Sequence, residues 1–110
     1  MEKVFSQKGG VRLDVFNLTW PFAKIIVNSE SIIIQAFWKK YLLKKNEISN
    51  LRKYSGIFSK GLLIEHKRKD YPHHMVFWTL NLQRLKNAIE DLGYSIGESV
   101  KSDSWWRGGP

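Results

Sequence analysis

In the earlier part of this chain, as at residues 11–15, apolar residues recur at every second position. In one late segment they recur at steps of three and four. The first period belongs to half-buried strands and the second to an amphipathic helix. Residues 11–15 alternate apolar and charged side chains and predict a strand. Trp20-Pro21 predicts a bend, because proline removes a donor and restricts the residue before it. Residues 23–27 and 31–38 are rich in β-branched side chains, and Asn28-Ser29-Glu30 between them is turn chemistry. On that reading Ile32, Ile34, Ala36 and Trp38 share one face. Lys39-Lys40 is the next turn and residues 41–45 are a third strand. Ile48 and Leu51 mark a short connection, and strands follow at 51–54, 61–67 and 74–79.

The helix starts at Asn81, a good N-cap, and runs to Leu92. Leu82, Leu85, Ala88, Ile89 and Leu92 form its apolar stripe, and Gly93 stands where a left-handed C-terminal cap belongs. A helix this short is unstable alone and must lay its stripe on a sheet. The expected architecture is mainly β: a bent antiparallel sheet or barrel of six or seven strands, capped by one C-terminal helix. Three segments are expected: a flexible N-terminal stretch, 1–10, with a hinge or a turn at Gly9-Gly10; the domain, 11–94; and a C-terminal tail, 95–110.

The chain has 110 residues, enough for one domain that buries a core without staples. It has no cysteine, which excludes disulfides, thiolate metal sites and a cysteine nucleophile. No secretory signal opens the chain and no apolar run approaches the roughly 20 residues of a membrane-spanning helix. The reading is a cytoplasmic protein, at most peripheral at the inner face of the membrane.

The formal net charge of +8 is concentrated. Residues 39–69 hold ten basic and two acidic side chains, and the remainder holds eight of each. Such a field attracts phosphate-bearing partners or an anionic membrane, and the same lysines also blunt sheet edges. Lys39, Lys40, Lys67, Arg68 and Lys69 are the candidates for an anionic surface. Trp105 and Trp106 are candidates for a protein contact, since tryptophan is enriched at interfaces.

Other chemistry is thin. His73 and His74, adjacent on a strand, point to opposite faces and make a poor metal pair, with His66 the only other histidine. The serines lack a nucleophile-elbow setting, and no glycine-rich phosphate loop precedes a helix. No catalytic residue, metal or cofactor is expected. Phe37, Trp38, Tyr41 and Tyr54 lie among Lys39, Lys40, Lys44, Lys45, Arg52 and Lys53. That mixture is the alternative: base stacking with phosphate neutralisation on a single-stranded nucleic acid.

The strand order followed by one helix resembles the pleckstrin-homology-like barrel, in particular its small bacterial and GRAM-like members. Three places carry the likeness: Trp20-Pro21-Phe22-Ala23-Lys24, Lys44-Lys45-Asn46-Glu47-Ile48, and Gly61-Leu62-Leu63-Ile64-Glu65-His66 with Tyr71-Pro72 and Phe77-Trp78 after it. The resemblance spans residues 11–94 and implies a non-enzymatic binding or adaptor domain, engaging a protein partner, a second copy or anionic lipid. Phosphoinositide-binding members carry basic residues on the first hairpin. Here that turn is Asn28-Ser29-Glu30-Ser31, with only Lys24 nearby, and the basic turns are Lys39-Lys40 and Lys67-Arg68-Lys69.

Overall fold

The computed structural model describes residues 3–14, 16–56 and 60–101. Among the described residues eight strands form one sheet, curled into a half-barrel, with a single α-helix. In chain order they are β1 (Phe5–Leu13), β2 (Phe16–Val27), β3 (Ser31–Ala36), β4 (Lys39–Lys44), β5 (Ile48–Ser55), β6 (Lys60–His66), β7 (Met75–Thr79), α1 (Leu82–Asp91) and β8 (Gly97–Lys101). Across the sheet the order is β4-β3-β2-β1-β7-β6-β5-β8. The first seven pair antiparallel, and β8 pairs parallel with β5.

Alternation explains which face is inside. Ile25, Val27, Ile32, Ile34, Leu43, Leu62, Ile64, Met75 and Phe77 are fully buried in one core. Leu85 and Ile89 of α1 join that core with no exposed surface, so the predicted stripe does fill the open side of the shell. The Asn81 side chain accepts from Arg84 N at 3.1 Å, capping the helix, and Gly93 adopts φ +94°. Thr79 fixes where the helix begins: its hydroxyl donates to Gln7 Oε1 at 2.6 Å and accepts from Asn81 N at 3.0 Å. Tyr94 closes the far end by donating to Asn28 O at 2.7 Å beneath the Lys45 ammonium.

Four expectations need correction. Residues 5–10 are not a flexible lead: they are the first part of β1, paired with β2, and Gly9-Gly10 lies buried inside it. A Cβ on Gly9 would overlap the Trp78 carbonyl oxygen and stand 2.5 Å from the Phe77 ring, so packing, not hinging, requires glycine there. The bend at Trp20-Pro21 is present, and it lies inside β2, where four residues, 19–22, bulge out opposite the single residue Gly10. Lys39-Lys40 is not a turn: it opens β4, and the two-residue turn is Phe37-Trp38, with Ala36 opposite Lys39. Consequently Trp38 does not share the buried face of Ile32, Ile34 and Ala36. Finally, β5 begins at Ile48, and part of the expected tail forms β8, an eighth strand.

A candidate interaction surface

The features that stand out from this frame lie at the β3–β4 tip. Pairing Ile34 with Tyr41 and Ile32 with Leu43 keeps all four pointing inward, and that register leaves only Phe37 and Trp38 to turn the chain. Phe37 takes φ 57°, a left-handed conformation that costs a non-glycine residue roughly 1–2 kcal/mol. In the chain between β1 and β2 the left-handed residue is Asp14, φ 56°, a type that tolerates it. Asp14 is further held by His74: Asp14 N donates to His74 O at 2.8 Å and His74 N donates to the Asp14 carboxylate at 2.9 Å.

Phe37 is half exposed and Trp38 is 85% exposed. Their rings stack at 5.7 Å, and Phe22, projecting from the β2 bulge, stands 6.1 Å from Phe37. Phe16, also exposed, lines with Phe37 and Trp38 a cleft of about 360 Å³ that buried Leu13 and Ala36, half-buried Tyr41 and exposed Lys39 complete. Contiguous exposed aromatic surface of this kind marks a contact site. One row along the sheet, Lys24, Gln35 and Lys40 stand side by side, and the next row is Ile26, Ile33 and Leu42. Lysine and apolar rows therefore alternate on the outer face behind the tip.

The five cations proposed from the sequence divide into two groups. Lys39 and Lys40 are exposed at the start of β4, beside the aromatic tip. Lys67, Arg68 and Lys69 are on the β6–β7 loop, which docks on the later part of β4 and the turn after it. There Leu42 N donates to the Tyr71 hydroxyl at 3.2 Å and Lys67 N to Glu47 O at 2.8 Å. His66 pins the loop from within: Arg68 N donates to its Nδ1 at 3.1 Å, so Nε2 carries the proton and donates to Pro72 O at 2.7 Å. Lys67 and Lys69 are exposed on this loop. Arg68 is committed elsewhere, forked onto Asp70, 3.6 Å from Glu47, and stacked over the Tyr71 ring at 4.2 Å. That fork holds the Asp70 carboxyl below its usual range and raises Arg68.

Trp105 and Trp106 lie outside the described residues. The aromatic–basic set weighed for nucleic acid does not form one platform. Phe37 and Trp38 are at the tip, Tyr41 packs edge-on to Tyr71 at 5.1 Å, Tyr54 is buried, and Arg52 pairs with Glu65 at 3.1 Å. Among the described residues no three His, Asp or Glu side chains converge as a metal site, and no helix is long and apolar enough to cross a membrane. Sequence reasoning missed Phe16, Phe22 and the Phe37-Trp38 turn. The available signal was the inward set Ile32, Ile34, Tyr41 and Leu43, whose pairing centres the hairpin between residues 37 and 38. No protein-family model, curated protein or solved structure matches the chain.

Proposed function

We propose that this chain is a non-catalytic binding domain of the pleckstrin-homology-like type, which engages a protein partner through the aromatic tip at Phe16, Phe22, Phe37 and Trp38. The observation that carries this reading is Phe37. A bulky ring occupies a left-handed turn position that glycine or asparagine fills more cheaply, and it is spent on exposed surface beside an exposed tryptophan. Local strain that packing does not use points to a contact. The cleft beside it suits an apolar anchor side chain from the partner, and Lys39 at its edge suits a neighbouring carboxylate. Support for the fold type is the order of seven antiparallel strands followed by a helix whose Leu85 and Ile89 enter the core. The parallel β8 is a departure from it.

A photo-crosslinking phenylalanine analogue in place of Trp38 tests the reading in the native cell. A discrete adduct from position 38, absent from the same analogue at Lys53 and lost with Phe16→Ser, is expected. Adducts of equal yield from both positions would refute it.

A second reading has its own observation. Trp38 protrudes next to Lys39 and Lys40, and an interfacial tryptophan with adjacent lysines suits an anionic bilayer. Pelleting with phosphatidylserine vesicles that fails for Trp38→Ala and for Lys39→Glu/Lys40→Glu would favour the membrane over a protein.

A further inference from the structure

Along β7, Met75 and Phe77 point into the core, so Val76 and Trp78 face the other side of the sheet. There Val76 joins Tyr54 and Leu63 in a second buried cluster, with Trp78 and Val100 packed against it. Gly61 lies between Trp78 and Tyr54 in the register, leaving room for their rings to meet at 5.4 Å. Beside Trp78 a cleft of about 500 Å³ opens toward the β2 bulge. Trp20, Trp78 and Leu80 wall it and Lys60 stands at its edge. Leu80 is 80% exposed and Trp20 about half, so the cleft offers apolar surface that its own walls leave uncovered.

The register also fixes where the chain leaves the sheet. Lys101 is opposite Ser55, Ser55 opposite Lys60, and Lys60 opposite Thr79. The chain therefore exits β8 at the end of the sheet where the cleft opens. Lys60 is two strands away, about 10 Å at a spacing of roughly 4.8 Å. The residues that follow, 102–110, include Trp105 and Trp106. The four steps from residue 101 to 105 reach up to about 14 Å.

We infer that this cleft takes the chain's own C-terminal segment, residues 102–110, with the indoles of Trp105 and Trp106 seated against Trp20, Trp78 and Leu80 of the same molecule. The site is separate from the aromatic tip and does not rest on the partner assignment there. Reach, exit direction and chemistry agree: two adjacent tryptophans suit an aromatic cleft, and Asp103, which precedes them in the sequence, suits the Lys60 that lines it. A short tether gives an effective concentration of order mM, so a modest contact is enough to keep the segment seated. The seated segment anchors β8 from beyond its end; among the described residues this short parallel edge strand has one neighbour only.

Fluorotryptophan labelling with ¹⁹F NMR resolves the five tryptophans, each assigned by its Trp→Phe variant. Trp105→Ala/Trp106→Ala is expected to shift the Trp20 and Trp78 resonances and leave Trp38 in place, which also shows that the fold persists. All resonances of the intact chain should be unchanged by tenfold dilution. Trp20 and Trp78 signals that ignore the double substitution would overturn the inference. So would shifts that disappear on dilution, which assign the segment to a second copy. Leu80→Cys/Ser104→Cys adds a check in a chain with no native cysteine: mild oxidation should give an intramolecular disulfide, and purely intermolecular crosslinking counts against the proposal.

Discussion

Gly9→Ala tests whether β1 is a packed strand or a hinged lead. The new methyl group would overlap the carbonyl oxygen of Trp78, which belongs to the β7 backbone, and press on the Phe77 ring at 2.5 and 2.9 Å. A ring can turn aside, but a backbone carbonyl in a paired strand moves only with its ladder. Overpacking of a filled core costs about 1–3 kcal/mol, and with backbone as the obstacle the upper end, about 3 kcal/mol, is expected. Unfolding entropy near 2.1 cal/mol/K per residue, over 110 residues, turns that into a fall of about 13 °C in Tm. Gly97→Ala is the matched control, because its Cβ would have Leu51 O at an ordinary 3.7 Å. It should change Tm little, or raise it through the smaller entropy of the unfolded chain. Differential scanning calorimetry of both variants decides the matter. A Gly9→Ala melting temperature within about 2 °C of the parent, less than 1 kcal/mol on the same scale, would show that Gly9 is not enclosed by β7 and that the register of β1 is wrong.

Leu85→Ala should cost about 2–5 kcal/mol in urea unfolding, and Leu82→Ala, at a half-buried position, distinctly less; equal losses would mean the helix is not seated by Leu85 and Ile89. Burial, and the nearby Glu30 charge, push Tyr94 up to about 12 from 10.0. The unfolded chain gives up that proton first, so stability is intact below pH 10 and falls as the pH rises towards 12; Tyr54, also raised by burial, adds to the fall. Tyr94→Phe should lessen this alkaline slope while losing the Asn28 hydrogen bond at neutral pH, as followed by circular dichroism against pH. Burial, then the Arg12 charge, lowers His74 below 6.5, so its contribution is present above that pH and is lost on acidification; the slope below 6.5 should be shallower in His74→Gln. Arg68→Ala should raise protease cutting and amide exchange in residues 67–73, where Lys67→Glu/Lys69→Glu does not, because of these three cations it is the Arg68 side chain that braces the loop. Trp38→Ala should leave urea stability within about 0.5 kcal/mol of the parent, since the side chain is 85% exposed; a larger loss would make it a structural residue.

The amino-acid pattern by itself determined that the chain is mainly β with one closing helix. Both follow from local pattern: the alternation in residues 11–15, the short β-branched and apolar runs in 23–27, 31–34 and 61–64, and the stripe from Leu82 to Leu92 between a capping asparagine and a glycine in the left-handed region. It also determined the cationic middle, because charge is additive along a chain. Register, strand count and exposure were decided only by the tertiary structure. A tryptophan continuing an apolar run reads as core until the partner strand places the turn, and one residue of register separates a buried Trp38 from an exposed one. Gly9-Gly10 reads as a hinge until β7 is laid across it. β8 has little alternation of its own and becomes a strand because the edge of β5 is open to it. Arg68 counts as a free cation in the sequence; Asp70, two residues on, takes its fork, and the fold adds Glu47 from the turn after β4, which no local window brings beside it. In each case the deciding contact is non-local, and the physical quantity it sets (which face, which neighbour, how much water) is one that no window of sequence contains.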